Sequence, residues 1–91
     1  FTAITDDTGL VQGIFTDGDL RRLIERGVDL RALSAADVMH PRPKLVNADA
    51  LAVDAADVME THRITSVLVV DAAGALVGAL NSNDLMRAKV I

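Results

Sequence analysis

Gly13-Ile14-Phe15-Thr16-Asp17-Gly18-Asp19-Leu20 is the stretch of sequence that decides the fold. Its apolar start predicts a strand, and from Asp17 or Gly18 the pattern takes a helical period, in which Leu23 and Ile24 join Leu20 on one face. A strand that stops at a helix start leaves backbone N–H groups unpaired, and these attract anions. Thr16 adds a hydroxyl, and Asp19 is placed to accept hydrogen bonds from two sugar hydroxyls. The pattern therefore predicts recognition of a phosphorylated ribose rather than bond breaking.

This stretch occurs twice, which indicates an internal repeat. Each copy predicts an apolar strand, a turn with Asp and Gly, a second apolar strand and a helix that opens with Asp-Leu. A shift of 65 residues aligns Asp6, Gly9, Gly13, Asp19, Leu20 and Arg22 with Asp71, Gly74, Gly78, Asp84, Leu85 and Arg87. The strand and helix predicted over 44–63 have no counterpart in the first copy. We expect that counterpart to precede Phe1 in a longer protein, or a partner chain to cover the exposed sheet instead.

The remaining elements follow from turn and cap signals. Proline excludes helix from the residue before it, so the segment His40-Pro41-Arg42-Pro43 is predicted to be an extended joint. Asn47 or Asp49 is expected to cap a helix whose apolar face carries Leu51, Ala55, Val58 and Met59. The predicted strands are 1–4, 10–15, 44–46, 66–70 and 76–80, and the other helical segments are 17–27, 35–39 and 82–89, with a further turn at 29–33.

Composition excludes several classes of function. The 91 residues form at most one compact domain, and 9 basic against 13 acidic residues give a net charge of −4. That balance argues against nucleic acid, which needs a basic face. The absence of cysteine excludes disulfides and thiolate metal sites and fits a reducing cytoplasm. No apolar run approaches the ~20 residues of a membrane span, and no signal peptide is visible.

The order of elements resembles a known family. Strand, helix, strand, strand, helix, with Gly-Ile-Phe-Thr-Asp-Gly-Asp-Leu before the last helix, resembles the tandem cystathionine-β-synthase (CBS) domain pair, or Bateman module. The run 9–22, with Asp37-Val38-Met39 and the proline pair, is similar to the C-terminal CBS pair of bacterial arabinose 5-phosphate isomerases of the sugar-isomerase (SIS) class. The resemblance implies an α+β fold of repeated β-α-β-β-α units, with small sheets flanked by helices. It implies a partial first motif at 1–33, lacking its opening strand and helix, and a second at 34–91, together one module.

The same resemblance implies a function. These isomerases interconvert D-ribulose 5-phosphate and D-arabinose 5-phosphate on the route to 3-deoxy-D-manno-octulosonate (Kdo) for lipopolysaccharide. Their active site lies in an N-terminal sugar-isomerase domain, so this fragment is expected to be catalytically inert, with no cofactor and no catalytic residue. We expect a cytoplasmic regulatory module that senses a nucleotide effector, either AMP or ATP or the pathway product CMP-Kdo. It is expected to form a homodimer through the CBS pair within a tetrameric parent. The alternative is a structural dimerisation module with no ligand.

The resemblance also nominates the site residues. In CBS pairs the Thr and the last Asp of the strand-end motif contact phosphate and ribose, and these are Thr16 and Asp19 here. Asp17 lies between them and is included in the site. The second repeat offers Asn81 and Asp84, so there an amide replaces the hydroxyl. The competing interpretation of all these residues is plain helix capping, which needs no ligand.

Other polar and sulfur-containing residues receive structural interpretations. Neither histidine is accompanied by cysteine or by acids at metal-ligand spacing, so His40 is interpreted as a linker residue and His62 as an exposed helix end. Asp17-Gly18-Asp19 lacks the further oxygens and closing Glu of a calcium loop, so no metal is predicted. Arg21 and Arg22 are interpreted as solvated. The methionines, at 39, 59 and 86, are expected in core or dimer packing.

Overall fold

Two small sheets with helices beside them make up the chain in this computed structural model, which describes residues 1–90. Besides the strands and α-helices, a short 3₁₀ turn spans Leu30–Ala32. The strands are β1 (Thr2–Thr5), β2 (Val11–Phe15), β3 (His40–Pro41), β4 (Leu45–Asn47), β5 (Ser66–Val70) and β6 (Leu76–Asn81), and the helices are α1 (Asp17–Glu25), α2 (Ala35–Val38), α3 (Ala52–His62) and α4 (Ser82–Arg87). None of these helices combines the length and apolar character needed to cross a membrane.

Each repeat forms one sheet, and the joint between the repeats adds a third strand to the first of them. The first is β1-β2-β3, with both pairs antiparallel. The second is β4-β5-β6, in which β4 lies parallel to β5 and β6 antiparallel to it. The second repeat therefore runs β-α-β-β-α, and the described part of the first runs β-β-α before the joint returns to β2 as β3. The predicted α+β class with small sheets is confirmed.

The hairpin turns of the two repeats have the same geometry. In the first, Asp6 Oδ1 accepts hydrogen bonds from the N–H groups of Thr8 and Leu10, at 2.9 and 3.0 Å. In the second, Asp71 Oδ1 accepts from the residues at the corresponding positions, also at 2.9 and 3.0 Å. Gly9 and Gly74 have φ of 87° and 89°, a region that favours glycine. Aspartate and glycine at these offsets thus fix both turns.

The two turns also bind each other. Val11 N–H donates to the Gly74 carbonyl at 3.3 Å, and Leu76 N–H donates to the Gly9 carbonyl at 3.0 Å. Val11 and Leu76 are 65 residues apart, as are Gly9 and Gly74, so the repeat offset relates the two hydrogen bonds to each other. The pair therefore marks a pseudo-two-fold axis between the repeats. The turns join the sheets at one end, and the opposite strand ends, where β2 stops and β5 starts, are left to form a site.

The buried core lies in the second repeat. Val46, Ala55, Met59, Val67 and Leu85 form one cluster. Leu85 is 2% exposed because α3 packs beside α4, whereas its counterpart Leu20 is 38% exposed. Within residues 1–90 the first repeat has no helix equivalent to α3. The predicted packing roles of Ala55 and Met59 are confirmed, while Met86 is 51% exposed.

The predicted start of α3 was wrong. Asn47 Oδ1 accepts the Asp49 N–H at 3.0 Å, which closes a turn before the helix instead of capping it. The cap position is Leu51, which is 68% exposed and not on the apolar face, and its N–H donates to Asp54 Oδ2 at 3.1 Å. The short side chain of Asn47 accepts its hydrogen bond from the nearby N–H of Asp49, and it therefore does not cap α3.

The equivalent glycines Gly13 and Gly78 give a test of how the joint packs. A Cβ at Gly13 meets the backbone carbonyl oxygen of His40 at 2.6 Å, whereas one at Gly78 has its nearest neighbour, the Val69 Cβ, at 4.0 Å. We expect Gly13→Ala to lower the free energy of unfolding by about 1–3 kcal/mol, because backbone must move. Gly78→Ala is the matched control and is expected to be neutral or slightly stabilising. Urea unfolding of both variants checks this, and equal effects would contradict it.

Candidate ligand-binding cleft

A cleft of about 550 Å³ opens between the two repeats, at the strand ends away from the hairpin turns. The first repeat contributes the start of α1, with Thr16, Asp17 and Gly18. The second contributes Lys44, just before β4, and residues 63–66, between α3 and β5. The cleft exists because α1 begins where β2 ends and β5 begins at the same end of the molecule.

The walls of the cleft combine an apolar surface with hydroxyl groups. Ile14 and Ile64 line it from the two repeats, with Phe1 and Pro43 beside them. Hydroxyls come from Thr16 and from the segment before β5, which carries Thr65 and Ser66. An apolar group with polar substituents fits such walls.

The charges on the cleft are opposite in sign to those of the whole chain. Lys44 and Arg63 line it, against the single carboxylate of Asp17, in a chain of net charge −4. No carboxylate side chain in the described part of the chain forms a salt bridge with either cation. Arg63 ends α3 with φ of 53°, a left-handed conformation that is uncommon for a residue with a Cβ. The cleft therefore offers an anion two unshared positive charges.

Thr16 and Asp19 cap α1 reciprocally. Thr16 Oγ1 accepts the Asp19 N–H at 3.2 Å, and Asp19 Oδ2 accepts the Thr16 N–H at 2.8 Å and its hydroxyl at 2.9 Å. This is a capping box, which satisfies two backbone donors that a helix start otherwise leaves free. The competing interpretation from the sequence, helix capping, is thus realised for both residues.

The second oxygen of Asp19 is also occupied. Arg22 Nη2 lies 2.6 Å and His40 Nε2 lies 2.7 Å from Asp19 Oδ1. The residue is only 7% exposed. Burial is the largest influence on the pKa of Asp19 and raises it, but the hydrogen bonds from Thr16 and Arg22 and the charge of His40 outweigh burial and hold the pKa below its ordinary value.

The second repeat reproduces the cap without a comparable cleft position. Asn81 Oδ1 accepts the Asp84 N–H, and Asp84 Oδ2 accepts the Asn81 N–H, both at 2.9 Å. Arg87 Nη2 lies 2.5 Å from Asp84 Oδ1, as Arg22 does from Asp19. The hydrogen bonds from Asn81 and Arg87 hold the pKa of Asp84 below its ordinary value. Asn81 and Asp84 do not line the cleft between the repeats.

The structure distributes the predicted site residues unevenly. Thr16 and Asp17 line the cleft, Asp19 lies behind its wall, and the pair from the second repeat lies elsewhere. A ligand-binding role for these five residues stays a prediction. Sequence reasoning missed Lys44, Arg63 and His40, of which only Lys44, a basic residue just before a predicted strand, gave any local signal.

No group of three or more His, Asp or Glu side chains able to hold a metal ion occurs within residues 1–90. The arrangement offers backbone N–H groups, hydroxyls and two cations beside apolar walls. It is suited to holding an organic anion.

The fold and cleft define a class: a repeat-built α+β module with a ligand-sized cleft between its repeats. A family model described as the CBS domain matches residues 35–91, and the chain belongs to the CBS-domain family.

Two curated relatives show which proteins carry similar modules. The chain is 50% identical over 90 residues to arabinose 5-phosphate isomerase KdsD of Escherichia coli (strain K12). The aligned region covers 99% of this chain and 27% of that protein. It is 47% identical to the protein of the same name from Pseudomonas aeruginosa, over 99% of this chain and 28% of that protein. The chain thus spans about a quarter of these relatives, matching their C-terminal CBS part.

Solved structures of CBS proteins share the fold. CBSX2, crystallised in complex with AMP, has a TM-score of 0.81 at 28% identity, covering 97% of this chain and 69% of that one. The CBS domain protein PAE2072 from Pyrobaculum aerophilum, complexed with AMP, has a TM-score of 0.81 at 27% identity, covering 91% and 63%. The resemblance to CBS pairs expected from the sequence is confirmed.

Asp19→Asn tests the electrostatic part of the cap. The pKa of Asp19 is lower in the folded state, so its carboxylate stabilises the fold at pH values above the unfolded pKa of about 3.9 and loses this effect as the pH falls through the folded value. We expect the variant to lose about 1–2 kcal/mol at pH 7. The difference from wild type should shrink at about pH 3 and below. Urea unfolding at both pH values measures it.

Asp84→Asn is the matched control for this experiment, because it removes the same carboxylate at the equivalent but more exposed position. Its effect at pH 7 is expected to be smaller than that of Asp19→Asn. A loss from Asp19→Asn that does not change between the two pH values would contradict an electrostatic origin.

Proposed function

We propose that this chain is a ligand-sensing module that binds a nucleotide or nucleotide-sugar in the cleft between its repeats. The observation that carries the proposal is the pair of unshared cations, Lys44 and Arg63, which line the same cleft as the start of α1 in a chain with net negative charge. Backbone N–H groups at the helix start add to the attraction for phosphate.

The size and the walls of the cleft support a nucleotide. Its volume of about 550 Å³ is within the range of sites for small organic ligands, roughly 300–1,000 Å³. The apolar side chains, Ile14 and Ile64 among them, offer a surface for a base, and the hydroxyls of Thr16 and Ser66 suit a sugar. Two CBS relatives of similar fold were crystallised with AMP.

The parent protein is proposed to be an arabinose 5-phosphate isomerase. The relatives named above support this, and we assign catalysis to the part of such a protein outside this chain, in a sugar-isomerase domain. AMP, ATP and CMP-Kdo are the proposed effectors, the last as a feedback signal, and the module is proposed to act in the cytoplasm. Its division is proposed as a partial first motif at 1–33 and a second at 34–91.

Sensing follows from a difference in affinity between two arrangements. A ligand that touches both repeats favours the arrangement in which Arg63 and the start of α1 approach each other, and it shifts the population only by its preference for that arrangement. The hairpin turns join the sheets at the far end, so a change at the cleft alters the angle between the repeats.

A structural dimerisation module is the second candidate function. The observation that favours it is exposed apolar surface, including Val53 on α3 (48% exposed) and Met86 on α4 (51%). We propose a homodimer that buries such helix faces, within a tetrameric parent. As a scaffold it would assemble without responding to any ligand.

Arg63→Gly is the sharpest test of the sensing proposal. It removes one cleft cation and relieves a left-handed backbone conformation, so the variant is expected to be at least as stable as the wild type. Lys89→Gly is the matched control, since Lys89 is also basic, also has positive φ (60°) and does not line the cleft.

The measurement is isothermal titration of AMP, ATP, CMP and CMP-Kdo. We expect at least one to bind the wild type, and Arg63→Gly to weaken that binding roughly tenfold, as for a lost charge-assisted hydrogen bond. Lys89→Gly should bind as the wild type does. Equal weakening by both variants would place the ligand outside the cleft, and no binding to the wild type would favour the scaffold.

The dimer is tested separately by sedimentation velocity. Wild-type chain is expected to sediment as a dimer, and Val53→Glu as a monomer, because a charge would be buried in the interface. Ala73→Glu is the control, as it adds the same charge on an exposed turn. If the wild-type chain sediments as a monomer at all concentrations, the proposal that it is a dimerisation module is contradicted.

A further inference from the structure

His40 separates the carboxylate of Asp19 from the cleft. The imidazole lines the cleft, and its Nε2 is 2.7 Å from Asp19 Oδ1. Asp19 does not line the cleft but borders a second hollow, of about 310 Å³, shared with Arg22 and His40. A ligand in the main cleft thus meets His40 before it meets Asp19.

The carboxylate of Asp19 has no capacity left for a ligand. It accepts hydrogen bonds from the N–H and hydroxyl of Thr16 and from Arg22 Nη2, and His40 Nε2 lies 2.7 Å from its Oδ1. A carboxylate has about four lone-pair positions. Hydroxyls of a sugar can therefore bind Asp19 only by displacing one of these donors.

Among these four contacts with Asp19, that of His40 is the one most easily displaced. The Thr16 donors belong to the helix cap, and Arg22 repeats a contact that Arg87 makes with Asp84. His40 comes from β3, a strand of two residues, and its side chain is 62% exposed. Of the residues that contact the Asp19 carboxylate, His40 alone lines the cleft without belonging to α1 or its cap.

Release of His40 has a consequence for the joint between the repeats. The backbone of β3 pairs with β2 at Ile14↔His40 and Gly13↔Pro41. The chain then reaches Lys44, a cleft cation, within four residues. The side chain of His40 thus ties a short strand, which leads directly into the cleft, to the first helix.

We propose that His40 determines the specificity of the cleft: its imidazole occupies Asp19 in the free protein and gives way to the vicinal hydroxyls of a ribose. This rests on the proposed nucleotide-binding function. The cleft then selects ligands with a diol, because only they replace the contact that Asp19 loses. A ligand without hydroxyls leaves His40 in place and the joint closed.

The test compares AMP with 2′,3′-dideoxyadenosine 5′-monophosphate by calorimetry on wild type, His40→Ala and His40→Gln. His62→Ala is the matched control, since His62 is exposed at the end of α3 and does not line the cleft. We expect His40→Ala to bind AMP roughly three- to tenfold more tightly than wild type, with the dideoxy compound unchanged. Glutamine retains an N–H donor, so His40→Gln should lie closer to wild type.

Two results would overturn the proposal. Equal weakening of both nucleotides in His40→Ala would make the imidazole a direct contact for phosphate, and unchanged affinities for both would show that it does not compete for Asp19.

A measurement without ligand separates this inference from the proposed function. Amide hydrogen exchange of Ile14 and His40, which pair across β2 and β3, is expected to be faster in His40→Ala than in wild type and in His62→Ala. If none of AMP, ATP, CMP and CMP-Kdo binds the wild type or a variant, the proposed function fails, whereas unchanged exchange overturns the role of His40 in holding the joint. Circular dichroism confirms that each variant is folded.

Discussion

The reciprocal pairing of the two hairpin turns is the constraint on which the rest of the structure depends. Val11 bonds to Gly74, and Leu76 bonds to Gly9. Each turn can approach the other only because a glycine takes positive φ there and an aspartate satisfies the turn's own amides. With the sheets fixed at this end, the orientation of the opposite ends is set. The cleft between the repeats is a consequence of how the turns meet.

Helix capping and the proposed ligand recognition draw on the same chemical groups at the start of α1. The Thr16 hydroxyl and the Asp19 carboxylate are fully engaged in the capping box and with Arg22 and His40. In the second repeat Asn81 and Asp84 form the same box, and neither residue lines the cleft. The repeat therefore conserves a way of starting a helix. What differs between the copies is the surroundings of each carboxylate.

Local features of the fold were predictable from sequence, and long-range features of the site were not. The turn chemistry of Asp6 and Asp71 and the β-branched run at 66–70 depend on neighbouring residues, and each led to the correct element, which the 65-residue offset then related to its copy. The start of α3 was mistaken because Asn47 satisfies a closer amide. Lys44 and Arg63 are 19 positions apart in the chain and come to line one cleft because β4 and β5 pair in parallel. No periodicity in sequence reports that pairing.

His40 illustrates why the interpretation of a residue in a linker changes once the fold is known. In sequence it stands between a short helix and a proline, with no acid at a suggestive spacing. In the structure, Gly13 leaves room for the backbone of β3, which turns the imidazole toward a carboxylate 21 positions earlier. The repeat thus supplies two similar frameworks, and the joint makes one of them distinct. A module built from duplicated units can gain an asymmetric site in this way, because the segment between the units is not itself duplicated.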